Sequence, residues 1–419
     1  MCAPGYTGDG YSCIDVDECK NGEARCGPNT YCKNTEGSYE CVCVPGYKMD
    51  QSSGSCLNYK NCVAYGDPHY RSFDGRTLHF QGQCRYTLVQ IDPVKMLHQR
   101  QADDVDFQID VANEYRGDVE DMTWTRDVFL RAYGHEFGLL KNNIVTVDGV
   151  QVTLPYDLAN GTVQIGRTSM GQIAAKTKIG LDVLFDGNSR AEVHLTSRYR
   201  DAVDGICGNF NGNKNDDWRS PDGDIVGDHT DYGNSWRTGV NKENIKCLYK
   251  PAGEERCAPN SPDYKRAEIF CRPLLEPDGP FAQCLSGDAF FQSCVVDVCG
   301  VGPKSVCTSF ENIADLCSEQ GYTNPNWRSH FSCPPNKCTE NAEYQQCGSN
   351  CPETCQHVLG QKQFPCAQGC KEGCFCKSGF VLDGDKCVLK EQCGCSVGFS
   401  YVQVSTTRQL NSIDINYFN

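Results

Sequence analysis

The chain has 419 residues, 31 of them cysteine, and carries 39 basic against 54 acidic side chains for a net charge of −15. Such a balance repels nucleic acid and anionic lipid and favours cations, with calcium the natural partner, while a thiol content this high implies an oxidising compartment outside the cytosol. No stretch reaches the roughly eighteen consecutive apolar residues of a membrane-spanning helix, and the polar tail Asp414–Asn419 is no lipid-anchor signal, so direct membrane insertion is not expected.

The cysteines fall into runs of eight, four, eight and ten with one left over, and each run has the spacing of a separately stapled module. The odd count leads us to expect a module cut in two. Met1 is followed at once by Cys2, with no basic segment or apolar run, so the natural start is expected upstream. Only the cysteine-poor stretch 85–206 is long enough to bury a core unaided; the rest must rely on staples.

Residues 15–56 hold Cys19, Cys26, Cys32, Cys41, Cys43 and Cys56 among turn-forming residues. Six cysteines alone leave fifteen pairings open. Their spacing, with Asp15-Val16-Asp17-Glu18 before the first and Asn34 and Tyr39 in CKNTEGSYEC, resembles the calcium-binding EGF-like module. That resemblance implies bridges Cys19–Cys32, Cys26–Cys41 and Cys43–Cys56. It also implies calcium on the side chains of Asp15, Glu18 and Asn34 and the carbonyls of Val16 and Thr35, with Tyr39 packing toward a neighbouring module. The plainer reading of the same acids is a solvated turn. Cys2 and Cys13 resemble the last bridge, Cys2–Cys13, of a preceding EGF-like module, whose remnant is residues 1–14 and whose successor spans 15–57.

From Cys62 onward short apolar runs are separated by turn signals, and Asp148-Gly149 and Asp186-Gly187 sit between alternating β-branched residues, a strong hairpin signature. This is all-β text of the sandwich kind. The segments GDPHYRSFDG (66–75), HFQGQCRYTL (79–88) and DGICGNFNGNKNDDW (204–218) together resemble the von Willebrand factor type D domain, here assigned to 58–250. The resemblance implies bridges Cys62–Cys207 and Cys84–Cys247. It further implies calcium held by Asp74, Asn209, Asn211, Asp216 and Asp217 with the carbonyl of Asn213, in a loop whose oxygen density suits a hard cation. An Asx-rich turn is the plainer alternative.

Relatives bearing the Gly66–His69 motif implicate chemistry at Asp67, Pro68 and His69. The resemblance implies that the carboxyl of Asp67 would attack its own carbonyl, that the proline nitrogen would leave as it takes a proton from His69, and that the resulting anhydride would capture a nucleophile on a neighbouring protein. A turn into the first strand is the alternative. Multimer-forming relatives carry Cys-Gly-Leu-Cys where this chain has Asp204-Gly205-Ile206-Cys207, so disulfide exchange at that motif is not expected.

Eight cysteines from Cys257 to Cys333 resemble the eight-cysteine module that follows type D domains (251–334), expected to be small and helical. Ten from Cys338 to Cys393 resemble the trypsin-inhibitor-like (TIL) cysteine-rich domain (335–394). Free-standing members of that family inhibit serine proteases through a rigid loop, but Ala367, Gln368 and Gly369 between Cys366 and Cys370 offer no side chain for a trypsin pocket. Residues 395–419 stay unassigned. Asn160-Gly161-Thr162 is a glycosylation sequon and Arg116-Gly117-Asp118 an integrin-type tripeptide. No dinucleotide fingerprint, phosphate loop, zinc helix or nucleophile elbow appears, so no enzymatic turnover is expected. The expectation is a multidomain, mainly β, disulfide-rich glycoprotein, secreted and stiffened by calcium. It would act by binding other extracellular matrix or coat glycoproteins; protease inhibition and self-cleaving crosslinking are the rivals.

Overall fold

Alternation of apolar and polar residues writes most of the strands. In the computed structural model, which describes residues 1–402 apart from 45, 51–53, 67, 98–104, 117–121, 160, 169–170, 239–256, 258–260, 285–288, 320–321, 323–325, 350, 360–369, 385 and 398–399, they form two antiparallel sheets. One runs Val150–Gln151, Ile144–Val147, His135–Leu140, Thr123–Ala132, Phe107–Tyr115, Arg85–Ile91 and Val203–Asp204 in spatial order. The other runs from Tyr156–Leu158 through Val163–Arg167, Ile173–Thr177, Leu181–Phe185 and Ala191–Thr196 to Ser55–Tyr65, His69–Arg71 and Thr77–His79. Their inner faces share one core, to which Val111, Leu130 and Leu139 contribute from the first sheet and Ile165, Val183 and Val193 from the second. Burying each such side chain contributes about 1.5–3 kcal/mol, enough collectively to fold this part around its own interior.

The Asp148-Gly149 signal becomes a two-residue hairpin. Val147 faces Val150 across it, and both turn residues have positive φ (51° and 81°), the pair that matches the twist of adjoining strands. At Asp186-Gly187 the turn is longer: one Asp186 oxygen accepts from the N–H groups of Asn188, Ser189 and Arg190, closing the loop between Phe185 and Ala191.

Strand Ser55–Tyr65 joins three bodies. Its start pairs with Tyr47–Asp50, placing Met49 opposite Cys56, and its end pairs with Ala191–Thr196 in the sandwich. Because side chains alternate along a strand, Cys62 and Ala64 enter the sandwich core while Val63 and Tyr65 enter the next module's core. The module boundary expected between residues 57 and 58 therefore falls inside one continuous strand, not a linker. Lys48 reinforces the joint with an ion pair to Asp182 and a 3.1 Å contact to His194 Nδ1.

The following module is helical. Pro262–Cys271 is capped by Ser261, whose hydroxyl accepts from Tyr264 N–H, and packs with Ala289–Val301 and Val306–Glu319. Bridges Cys257–Cys299, Cys271–Cys294, Cys284–Cys317 and Cys307–Cys333 staple it. The last body has two small two-stranded sheets, Ala342–Ser349 with Cys370–Cys376 and Phe380–Asp383 with Lys386–Leu389, held by Cys338–Cys374, Cys355–Cys393 and Cys376–Cys387. Residues 403–419 lie outside the described residues. No described helix is long and apolar enough to cross a membrane.

Candidate functional site

The loop after Cys207 is built by asparagine. Asn209 Oδ1 accepts from Asn211 N–H, Asn211 Oδ1 from Asn213 N–H and Asn213 Oδ1 from Asn215 N–H, at 3.1, 2.7 and 3.3 Å, so successive side chains set the backbone path. Asn211 Nδ2 donates to Asp216 Oδ2 at 2.9 Å, and Ser72 Oγ donates to Asp217 Oδ2 at 2.6 Å. Arg76 stacks on Trp218, 3.6 Å from its centroid, and donates to the Asn215 carbonyl. Asp217 is only 1% exposed.

Three carboxylate oxygens, Asp216 Oδ1 and Asp217 Oδ1 of this loop and Asp74 Oδ2 of the turn after strand His69–Arg71, are buried with no protein hydrogen-bond partner. Burial, together with the charges of Asp74 and Asp216, pushes the Asp217 carboxyl up to about 6 against the Ser72 hydroxyl. Buried unpaired acceptors are costly, so a cation fits here better than an empty Asx turn. Among the described residues no three His, Cys, Asp or Glu side chains converge closely enough to hold a metal ion by themselves, so a calcium shell would need amide and main-chain oxygens as well.

Gly208, at φ 77°, lies where a Cβ would stand 2.1 Å from Asp217 Oδ1. Gly208→Ala is expected to displace that carboxylate, so that calcium, if held through it, would bind at least tenfold more weakly; calorimetric titration of calcium measures it. Beside the loop opens a cleft of about 490 Å³, whose lining includes Asp92, Lys95, Asp201 and Asp204 together with Asn209, Asn211 and Asp216. Lys95 Nζ stands 3.5, 3.8 and 3.6 Å from Asp92, Asp201 and Asp204, and burial pushes the Asp204 carboxyl up to about 6. Sequence reasoning noted Asp204 only as a missing cysteine; the cleft brings together residues more than a hundred positions apart, with no local signal.

In the first module Asp15 accepts from Gly37 N–H at 2.6 Å and from Asn34 Nδ2 at 2.7 Å, which brings two expected calcium ligands together. Glu18 Oε2 and Asn34 Oδ1 are again buried without a partner. Asp17 instead caps the short helix Glu18–Asn21, accepting from Lys20 N–H. Val16 N–H donates to Gly5 O, and Thr35 Oγ1 to the Ser38 carbonyl. Tyr39 stays within its module, its hydroxyl accepting from Arg25 N–H; Tyr6 of the preceding remnant supplies the neighbour contact, its ring against Gly37. This cluster therefore faces residues 1–14, at the opposite end of the module from the joint with the sandwich.

The structure joins Cys2 to Cys13, Cys19 to Cys32, Cys26 to Cys41, Cys43 to Cys56 and Cys62 to Cys207. Cys247, the expected partner of Cys84, lies outside the described residues, as do Asp67, Asn160, Gly117, Asp118 and the TIL loop 367–369. Pro68 lies in the turn before strand His69–Arg71, which His69 opens, and both ring nitrogens of His69 face other side chains: Nε2 is 2.8 Å from Asp297 and Nδ1 2.6 Å from His79. A general-acid role toward the Pro68 nitrogen would require breaking one of these contacts. The Arg116 guanidinium is tied to Glu114, Asn188 and the Thr125 carbonyl, so an integrin would have to strip these bonds first.

Comparison with known proteins follows this layout. Residues 15–56 match the calcium-binding EGF domain, 62–224 the von Willebrand factor type D domain, 270–334 the C8 domain and 338–393 the trypsin inhibitor like cysteine rich domain. The chain carries these four domains in this order. It is 33% identical to human zonadhesin over 89% of its length, 31% to human alpha-tectorin over 88% and 32% to human IgGFc-binding protein over 80%. These matches span only 13%, 17% and 6% of those proteins. Relatives with type D domains are extracellular adhesive and matrix glycoproteins.

Proposed function

We propose that this chain is a calcium-stiffened structural segment of a secreted adhesive glycoprotein, acting by binding and assembly with other extracellular matrix or coat glycoproteins. The observation that carries this reading is the repeated pattern of buried, partnerless oxygens on the residues of both loops, Glu18 and Asn34 in the EGF domain and Asp74, Asp216 and Asp217 in the type D domain. Calcium would satisfy each set with several oxygens at once and needs no covalent chemistry. The ion's role is mechanical: it fixes the EGF domain against residues 1–14 and the asparagine loop against the turn after strand His69–Arg71 that carries Ser72 and Asp74. Cys207 is committed to Cys62, so assembly would proceed through surfaces or other modules, not through disulfide exchange at 204–207.

Affinities on the order of 10⁻⁴–10⁻³ M are expected for such extracellular sites. Saturation at tenfold excess over the dissociation constant stabilises by about 1.4 kcal/mol per site. Chelation should therefore lower the melting temperature by a few degrees, and Asp217→Asn should abolish the type D share of that loss while leaving the EGF share. An unchanged melting temperature on chelation would overturn the calcium reading. Incubation near pH 6 followed by reduction tests the self-cleavage rival: an intact chain removes it.

A further inference from the structure

The sequence holds the pairs Asn21-Gly22, Asn160-Gly161 and Asn211-Gly212, and the three glycine amides stand in different surroundings. Gly22 N–H donates to the Glu18 carbonyl at the end of its helix, and Gly161 N–H donates to Asp157 Oδ1. Among the described residues nothing accepts from Gly212 N–H. Gly212 is exposed and Asn211 lines the open cleft beside the loop, so water reaches both. We propose that Asn211-Gly212 is a site of self-modification, at which the Gly212 nitrogen closes on the Asn211 side chain, expels ammonia and leaves aspartate or isoaspartate after hydrolysis.

Three groups stand where this ring closure needs them. Arg200 Nη2 donates at 2.9 Å to the Asn211 main-chain carbonyl, drawing charge out of the Asn211–Gly212 peptide and easing loss of the Gly212 proton. Asn213 N–H donates at 2.7 Å to Asn211 Oδ1, the oxygen on which negative charge gathers when Cγ is attacked. Asp216 Oδ2 accepts at 2.9 Å from Asn211 Nδ2, holding in place the amino group that leaves. Gly212 brings no Cβ to crowd the approach.

The step balances with water as the only co-reactant. Hydroxide takes the Gly212 proton, the nitrogen bonds to Asn211 Cγ, and the Cγ–Nδ2 bond breaks as Nδ2 takes a proton from water and departs as ammonia. Water then opens the cyclic imide at either carbonyl, giving aspartate or a backbone that runs through the side chain. Each event adds one negative charge to a loop where Asp74 and Asp216 already act on Asp217. The hydrogen bonds linking Asn209, Asn211 and Asn213 lose their middle member.

Peptide mass spectrometry of the whole calcium-free chain, held near neutral pH and body temperature, tests the site. Conversion at Asn211 should outrun that at Asn21, an internal control in the same molecule, by about fivefold or more, with isoaspartate among the products. Arg200 is exposed, and Arg200→Met keeps the stem while removing the charge; conversion at Asn211 should then slow about threefold or more with Asn21 unchanged. Base-catalysed hydrogen exchange of the Gly212 amide passes through the same anion and should slow as well, whereas a loop merely loosened by the variant would exchange faster. The proposal is overturned by conversion at Asn211 no faster than at Asn21, by an unchanged rate in Arg200→Met, or by Gly212 exchange that quickens in that variant.

Discussion

Replacing Cys62 and Cys207 together by alanine is expected to lower the stability of the type D domain by about 5 kcal/mol, the value the chain-entropy argument gives for a loop of this length. The bridge closes a separation of 145 residues, against 11 for Cys376–Cys387, whose loss by the same argument costs about 3 kcal/mol. Its placement adds to the effect. Cys62 and Cys207 are 1% and 0% exposed, and Cys207 N–H donates to the Leu88 carbonyl while its own carbonyl accepts from Phe73 N–H. The disulfide therefore ties the strand shared by the EGF and type D domains to the edge of the other sheet, immediately before Gly208 and the asparagine loop. Urea unfolding in saturating calcium measures the loss, and calcium titration of the double variant should show weaker binding. A loss below about 1 kcal/mol would show that the core alone closes this loop.

What the sequence made legible was local. Asp148-Gly149 announced its hairpin because two consecutive residues able to take positive φ stood between β-branched neighbours, and the same arithmetic of turn residues marked the loop at 209–217. The helical character of the C8 domain was an expectation from the resemblance that its eight cysteines carry. What remained invisible was contact at long separation. His69 and Asp297 stand 228 positions apart and Arg328 and Glu372 stand 44 apart, each an ordinary polar residue in its own neighbourhood. Val63 and Tyr65, which alternate with Cys62 and Ala64 along one strand, fill the core of another domain because the C8 helices cover that face. Composition shifts mark where a module's staples end. They carry no information on whether the backbone bends there, and at residues 57–58 it runs straight through.

Glu372→Ala is expected to undock the TIL domain from the C8 domain, at a cost of about 3 kcal/mol, or about a hundredfold in the docking equilibrium. One carboxylate serves three donors: Oε1 accepts from Arg328 Nε and, at 2.8 Å, from the Tyr344 hydroxyl, and Oε2 accepts from Trp327 Nε1. Arg328 is 5% exposed, stacks on Trp327 and also meets Glu311 at 3.1 Å and the Pro334 carbonyl at 2.8 Å. Glu311 keeps the guanidinium from being left without a countercharge, which places the cost at the lower end of the range for a broken buried pair. Glu372→Gln should fall between, since its amide offers one acceptor to three donors. Because Cys307–Cys333 and Cys338–Cys374 staple the two domains separately, the variant should keep both folds and lose only their mutual orientation. Limited digestion after Lys337, in the short connection between those bridges, reads this directly. Cleavage should rise steeply in Glu372→Ala with Lys371–Asp315, a 3.2 Å pair across the same joint, unable to compensate alone; cleavage at the wild-type rate would show that the carboxylate does not hold the domains together.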